Sequence, residues 1–208
     1  MSKVLVTGAT GFIGSALARA LVARGDAVRA LVRPTSDLIR LTGLGLADQV
    51  VETVTGDVTR PETLPPAMEG IEVVYPNDFA DVEESSAAIR NCGLPVSAVN
   101  LNVKTEKKWQ GGSFTAPDPQ LRAEAVADLK MAMDLAVELD SGMVTCCPLI
   151  DGHNYSFQVD YRKQWAWLEE AVAEGAQHRP DVKLSFEYKL NESRNFAILG
   201  DMGRALYL

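Results

Sequence analysis

Short apolar runs alternate with stretches of helical spacing along most of the chain. Residues 4–6 are apolar and stop at a turn holding Gly8 and Gly11. Phe12, Ile13, Ala16, Leu17, Ala20 and Leu21 then follow at the spacing of one helix face. Arg24-Gly25-Asp26 reads as a helix end and turn, and residues 28–32 as a second strand with Arg33 just past its end. Pro34 and Thr35 break the chain before a short, weakly patterned helix over residues 38–46. Residues 50–54 predict a third strand, closed by Gly56-Asp57. Pro61, Pro65 and Pro66 bracket a short helix or turn, and residues 71–75 predict a fourth strand.

The alternation continues. Residues 78–91 predict a helix, with Asp81 and Glu84 as a capping-box-like start and Gly93 as the stop. Residues 96–103 predict a strand with Asn100 and Asn102 on one face. A polar, glycine-rich loop leads to Asp118-Pro119, a good N-cap and first-turn pair. The clearest helix follows, marked by Leu121, Ala125, Leu129, Ala132, Ala136 and Leu139. Residues 143–149 predict a strand, 151–160 a loop, and Trp165, Leu168 and Val172 another helix. Residues 182–188 predict a strand, 191–203 a loop and helix, and 206–208 the opening of one more strand.

Strand and helix in strict alternation predict an α/β fold: a parallel, doubly wound, Rossmann-like sheet of about seven strands in the order 3-2-1-4-5-6-7. The alternative is a partial or closed β/α barrel, for which 208 residues is short of the typical length of about 250. The apolar share of 47% is enough for a substantial core. A net charge of −8 argues against a nucleic-acid or anionic-membrane surface. Cys92, Cys146 and Cys147 are too few and too badly spaced for a disulfide framework or a metal knuckle. With no signal-peptide pattern and no apolar run of spanning length, a cytoplasmic setting is expected.

Strand, glycine turn and helix together are the context of a phosphate-binding loop. Gly8 permits the tight turn, Gly11 removes a side chain where a pyrophosphate would approach, and Gly14 lets the helix pack on the strand. Thr7-Gly-Ala-Thr-Gly-Phe-Ile-Gly14, Ala30-Leu-Val-Arg33, Gly56-Asp57 and Gly70-Ile-Glu-Val-Val-Tyr75 resemble the extended short-chain dehydrogenase/reductase family of epimerases and dihydroflavonol-reductase-like enzymes. The resemblance implies a cofactor-binding set of Gly8, Thr10, Gly11, Phe12, Ile13, Gly14, Arg33 and Asp57. Arg33 at the end of the second strand suits a 2′-phosphate, which favours NADP over NAD. Asp57 resembles the family's acceptor for the adenine amine. The family's catalytic Tyr with a Lys four residues on is absent: Phe79, Val159, Trp165 and Glu192 stand four residues after Tyr75, Tyr155, Tyr161 and Tyr188.

From Tyr75 on, the chain resembles a second family, the xylose-isomerase-like TIM barrels that isomerise or epimerise sugars. Ser97-Ala-Val-Asn100, Gly152-His-Asn-Tyr155, Phe157-Gln-Val-Asp-Tyr161 and Phe186-Glu-Tyr-Lys-Leu-Asn-Glu-Ser-Arg194 carry it. It implies Glu187 as a divalent-metal ligand, Lys189 as an electrophilic helper and His153 as a sugar contact. Glu187 and Lys189, two apart, would share a strand face. The family's remaining ligands come from later strands, so the metal site is expected to be incomplete.

Residues 1–75 are thus expected as a Rossmann dinucleotide-binding half and 76–208 as a barrel-derived β/α segment, joined in one continuous sheet. Three functions follow: an NAD(P)-binding chimeric or truncated protein without full dehydrogenase chemistry, a metal-dependent sugar isomerase or epimerase, and a catalytically inactive structural chimera. The expected partners are a dinucleotide, a sugar ligand and, because a truncated sheet exposes an edge, a second copy in a homodimer.

Overall fold

A computed structural model of the chain describes residues 3–42, 51–64, 67–192 and 195–208. Contacts divide the chain into two compact units, Met1–Glu69 with Cys92–Leu94, and Gly70–Asn91 with Pro95–Leu208.

In the first unit, β1 (Lys3–Thr7), α1 (Phe12–Arg24), β2 (Ala27–Val32) and β3 (Val51–Thr55) form where the pattern predicts. β1 pairs with β2 and β2 with β3, both in parallel. β2 is central, and its Val28, Ala30, Leu31 and Val32 are buried, as a strand covered on both faces requires. Ala18 and Leu21 of α1 pack with Val6, Val28 and Ala30 into this unit's core. Gly25 ends α1 in the left-handed region at φ 94°, its N–H donating to Leu21 and Val22 carbonyls. Of the helix expected over residues 38–46, the described part is one turn, α2 (Ile39–Leu41). Residues 43–50, with the expected first residue of the third strand, lie outside the described residues, as do Pro65 and Pro66.

The second unit runs β4 (Ile71–Tyr75), α3 (Val82–Asn91), β5 (Val96–Leu101), α4 (Pro119–Glu138) and β6 (Met143–Cys146). It continues with β7 (Gly152–His153), α5 (Tyr161–His178), β8 (Lys183–Phe186), β9 (Asn191–Glu192), β10 (Asn195–Ala197) and α6 (Met202–Tyr207). β4, β5, β6 and β8 make a parallel sheet in that order. The caps read from the sequence form. Asp81 accepts from the Glu84 N–H at 2.9 Å and Asp118 from Gln120 at 2.8 Å. A further cap, not read from the sequence, starts α5: Asp160 accepts from both the Arg162 and the Lys163 N–H. Leu129, Met133, Leu135 and Ala136 of α4 pack on Val99, Leu101 and Val144 of the sheet. Each fully buried leucine there stabilises by about 2 kcal/mol.

Within their units, the parallel strands run in the orders β1-β2-β3 and β4-β5-β6-β8. Three features differ from the sequence reading. Residues 206–208 are not a strand. Asp201 accepts from the Arg204 N–H and nucleates α6 across Met202–Tyr207. The strand expected over 182–188 spans only Lys183–Phe186, so Glu187 and Lys189 lie beyond the ladder. A small antiparallel sheet, β7-β10-β9, occupies what reads as loop. Its strands of two or three residues are too short for a period-2 signal.

Candidate functional site

The turn after β1 closes through the Gly11 N–H, which donates to the Gly8 carbonyl at 2.9 Å. Gly8 has φ +64°, a left-handed conformation that glycine adopts without strain. A Cβ on Gly14 would stand 2.1 Å from the Gly8 carbonyl oxygen, so only glycine allows α1 to start this close to β1. Among the described residues no side chain caps the α1 N-terminus, and Phe12 and Ile13 of its first turn are exposed.

A cleft of about 310 Å³ opens at the C-terminal ends of β1, β2 and β3. Thr7, Gly8 and Thr10 line it from the first turn, Arg33 and Ser36 from the second, and Gly56, Asp57 and Thr59 from the third. Three motifs separated in sequence therefore meet at one opening. The Arg33 guanidinium has no hydrogen-bond or ion-pair partner among the described residues; its backbone N–H donates to Ser36 Oγ at 3.0 Å. Asp57 Oδ1 accepts from the Thr59 N–H at 2.9 Å and the Thr59 hydroxyl at 2.8 Å. Those bonds, with Arg33 and Arg60 nearby, hold its carboxyl below the usual carboxylate range. An unpaired cation, a glycine cradle and a helix N-terminus suit an extended anionic ligand.

In the second unit the strand ends carry other chemistry. Glu187 follows β8 immediately, its N–H donating to the Cys146 carbonyl at 2.9 Å while its side chain stays exposed. Lys189 does not share a strand face with it: the Lys189 ammonium pairs with Glu192 of β9, which raises its pKa. Asn102, past the end of β5, donates to Asn77 Oδ1 at 2.6 Å and Thr105 Oγ1 at 2.7 Å. Among the described residues no group of three His, Cys, Asp or Glu side chains could hold a metal ion. Glu187 alone does not fit a divalent-metal site, since such ions take several oxygen or imidazole ligands.

Cys146 and Cys147 are both buried. Burial pushes the Cys147 thiol up to about 11, with the Glu187 carboxylate adding to the rise and Lys104 opposing it. Burial pushes Cys146 up further still. Cys92 is half-buried. A thiol reagent on the native protein at neutral pH is expected to label Cys92 and spare the other two, and mass spectrometry of the labelled peptides checks it. Rapid labelling of Cys147 would contradict this burial.

His153 lies on β7 rather than at the ends of the parallel strands. Its ring stacks on Phe196 at 5.4 Å and meets Tyr161 edge-on at 5.0 Å. The residue before Gly152 was missed by sequence reasoning altogether. Asp151 is fully buried and accepts from the Ser113 N–H (2.9 Å), the Thr115 N–H (2.7 Å), the Thr115 hydroxyl (2.8 Å) and the Ser113 hydroxyl. Burial raises its pKa against the pull of those four donors. Gln164, also buried, donates to the Gly152 carbonyl at 3.1 Å and to Thr115 Oγ1 at 3.3 Å. His178 ends α5 and pairs with Asp134 at 3.1 Å.

Residues 67–198, more than half of the chain, match the model of the xylose isomerase-like TIM barrel family. The chain belongs to that family. Residues 1–90 match the NmrA-like family as well, so the protein has two parts of different kinship. Over 128 residues it is 31% identical to a xylose isomerase of Thermus thermophilus, covering 58% of this chain and 33% of the relative. Over 71 residues it is 46% identical to sterol demethylase protein B of Methylococcus capsulatus, covering 34% of this chain and 20% of the relative. The chain thus spans a third or less of these curated relatives. A solved L-ribulose 3-epimerase aligns with 70% of this chain and 47% of its own, at a TM-score of 0.51 and 22% identity, a likeness of fold. No helix among the described residues is long and apolar enough to cross a membrane.

Proposed function

We propose that the first unit binds a nicotinamide dinucleotide, NADP in preference to NAD, without the proton-transfer pair of a reductase. The observation that carries this reading is the meeting of Gly8, Arg33 and Asp57 at one cleft. The NmrA-like kinship of residues 1–90 supports it. The loop from Gly8 to Gly14 and the α1 N-terminus would hold the pyrophosphate through backbone N–H groups. Arg33 would pair with a 2′-phosphate, and Asp57, held ionised by Thr59, would accept from the adenine amine. Such a cofactor exchanges hydride when bound. Tyr75, Tyr155, Tyr161 and Tyr188 have no Lys four residues on that would lower their pKa for the accompanying proton. Binding without turnover is therefore the reading for this unit.

A fluorescence titration with NADPH and NADH tests it. NADPH is expected to bind the tighter, and Arg33→Asp to weaken NADPH by about tenfold or more, roughly 1.4 kcal/mol, while sparing NADH. Absence of both a fluorescence change and a melting-temperature shift with either nucleotide would overturn the reading.

A second reading concerns the second unit. Its membership of the barrel family, and the convergence of Asn102, Cys147 and Glu187 at strand ends, support a sugar ligand there. Lys104 and Lys189 add positive charge beside Cys147. Glu187 and Lys189 would contact the ligand through hydrogen bonds.

A further inference from the structure

The parallel sheet of the second unit ends in two edge strands, β4 and β8. An edge strand presents N–H and C=O groups that another strand can take up. The two edges differ. On β4 the outward groups of Val74 are spent within the chain: its N–H donates to Asp78 Oδ2 at 2.7 Å, and its carbonyl accepts from the Asp78 N–H at 2.8 Å. On β8 the Lys183 and Glu187 N–H groups donate toward β6, to the Gly142 and Cys146 carbonyls, each at 2.9 Å. Backbone groups alternate in direction along a strand, so those of Leu184 and Phe186 point away from β6. Among the described residues nothing accepts from their N–H groups or donates to their carbonyls.

The side chains of β8 alternate too. Leu184 and Phe186 are half-buried against the core, while Lys183 and Ser185 are exposed. Glu187 continues the exposed face. Among the described residues neither Lys183 nor Glu187 is in a salt bridge.

These features select a partner strand. Two copies of one strand related by a two-fold axis pair antiparallel. With Leu184 opposite Phe186 of the partner subunit, both outward residues become hydrogen-bonded pairs, exchanging N–H and C=O in each direction. Ser185, small and exposed, then lies on the axis. Lys183 stands opposite Glu187 of the partner subunit in a non-hydrogen-bonded pair, where side chains approach closest and opposite charges attract. The neighbouring registers are worse. A shift toward the C-terminus sets Lys183 opposite Lys189 of the partner subunit, and the Lys189 N–H is already spent on the Leu199 carbonyl at 2.9 Å. A shift toward the N-terminus draws in Val182, whose N–H donates to the Arg179 carbonyl at 3.1 Å. The apolar half of β8 favours the same register, since Leu184 and Phe186 of the partner subunit meet on the core side.

We propose that β8 pairs with β8 of a second copy of this chain, antiparallel about a two-fold axis at Ser185, with Lys183 and Glu187 of the partner subunit as the charge pair that sets the register. A carboxylate has two oxygens, so Glu187 keeps one for a ligand of its own subunit.

Sedimentation velocity and disulfide trapping on the whole chain test this, with no nucleotide or sugar added. The wild type is expected to pass from its 22.5 kDa monomer mass to twice that mass as concentration rises to about 200 µM. Lys183→Glu, which sets like charges opposite each other on both sides of the axis, is expected to weaken the dimer about tenfold or more. Adding Glu187→Lys to it reverses both charges and should restore the dimer, which a loss of folding would not allow. Ser185→Cys should link two chains under mild oxidation and release them on reduction, because facing Cα atoms of such a pair stand about 4.5 Å apart, within a disulfide's span. The wild type, with Cys146 and Cys147 buried and Cys92 half-buried, is the control for that trap. The proposal is overturned if the wild type stays monomeric across this range, if Lys183→Glu leaves the dimer unchanged, or if Ser185→Cys gives no more linked chain than the wild type.

Discussion

Asp151→Ala is expected to destabilise the second unit by about 3–5 kcal/mol, read as a lowered midpoint in urea unfolding. The loss has a specific origin. The Ser113 and Thr115 N–H groups both point at Asp151 Oδ1, and burial leaves them no water to turn to. Asp151→Asn is expected to cost less than about 1 kcal/mol at neutral pH, or to stabilise. Its Oδ1 accepts the same three bonds, and its Nδ2 donates to Ser113 Oγ where the carboxyl oxygen stood. The two variants thus separate the charge from the scaffold. The pH dependence follows from the sign of the shift. Burial raises the folded pKa of Asp151 above its ordinary value of 3.8. Its contribution to stability is therefore fully present below that value and is lost as pH rises through the folded pKa. Across that window the wild type should lose stability relative to Asp151→Asn. A difference between the two that does not change with pH would show that the folded protein does not raise this pKa.

Gly14→Ala is the second large effect. The new Cβ would meet the Gly8 carbonyl oxygen at 2.1 Å, its carbon at 2.6 Å and Ala9 Cα at 2.9 Å. All three are backbone atoms, so no side chain can swing aside. α1 must back away from β1, at a cost of about 3 kcal/mol, and the N–H groups of the loop lose their common aim. The first unit is expected to melt earlier and to show no NADPH response at concentrations that saturate the wild type. Gly8→Ala separates clash from conformation. Nothing stands within 4 Å of its added Cβ, but φ +64° carries a cost of about 1–2 kcal/mol for any other residue. Gly14→Ala should therefore be the worse of the two in both melting and binding. Equal or smaller losses at Gly14 would mean that α1 and β1 are not packed this closely.

The glycine loop was legible because its chemistry is local. A turn, a close approach and a helix start fall within seven residues, and each leaves a glycine in the sequence. Arg33 and Asp57 were legible as strand-end residues for a similar reason: an apolar strand has a visible end. Asp151 left no such trace. Its donors come from residues 36 and 38 positions earlier in the chain, and an aspartate opening a loop looks like any turn former. Lys189 misled for a different reason. Two residues apart in a strand share a face, but the ladder ended at Phe186, and Lys189 turned to Glu192 instead.

Apolar period and capping residues by themselves determined that this protein is a β/α alternation, with α4 starting at Asp118. They also determined that it has two kinships, since the motifs of each are contiguous. Only the tertiary structure decided which strands pair within each unit, because parallel pairing joins strands far apart in sequence and the hydrogen bonds that choose a neighbour are backbone bonds, which no side chain announces. It alone brought Gly8, Arg33 and Asp57 to one cleft, set Asp151 among four donors and placed His153 beside Tyr161, since each of these is a meeting of segments fixed by packing.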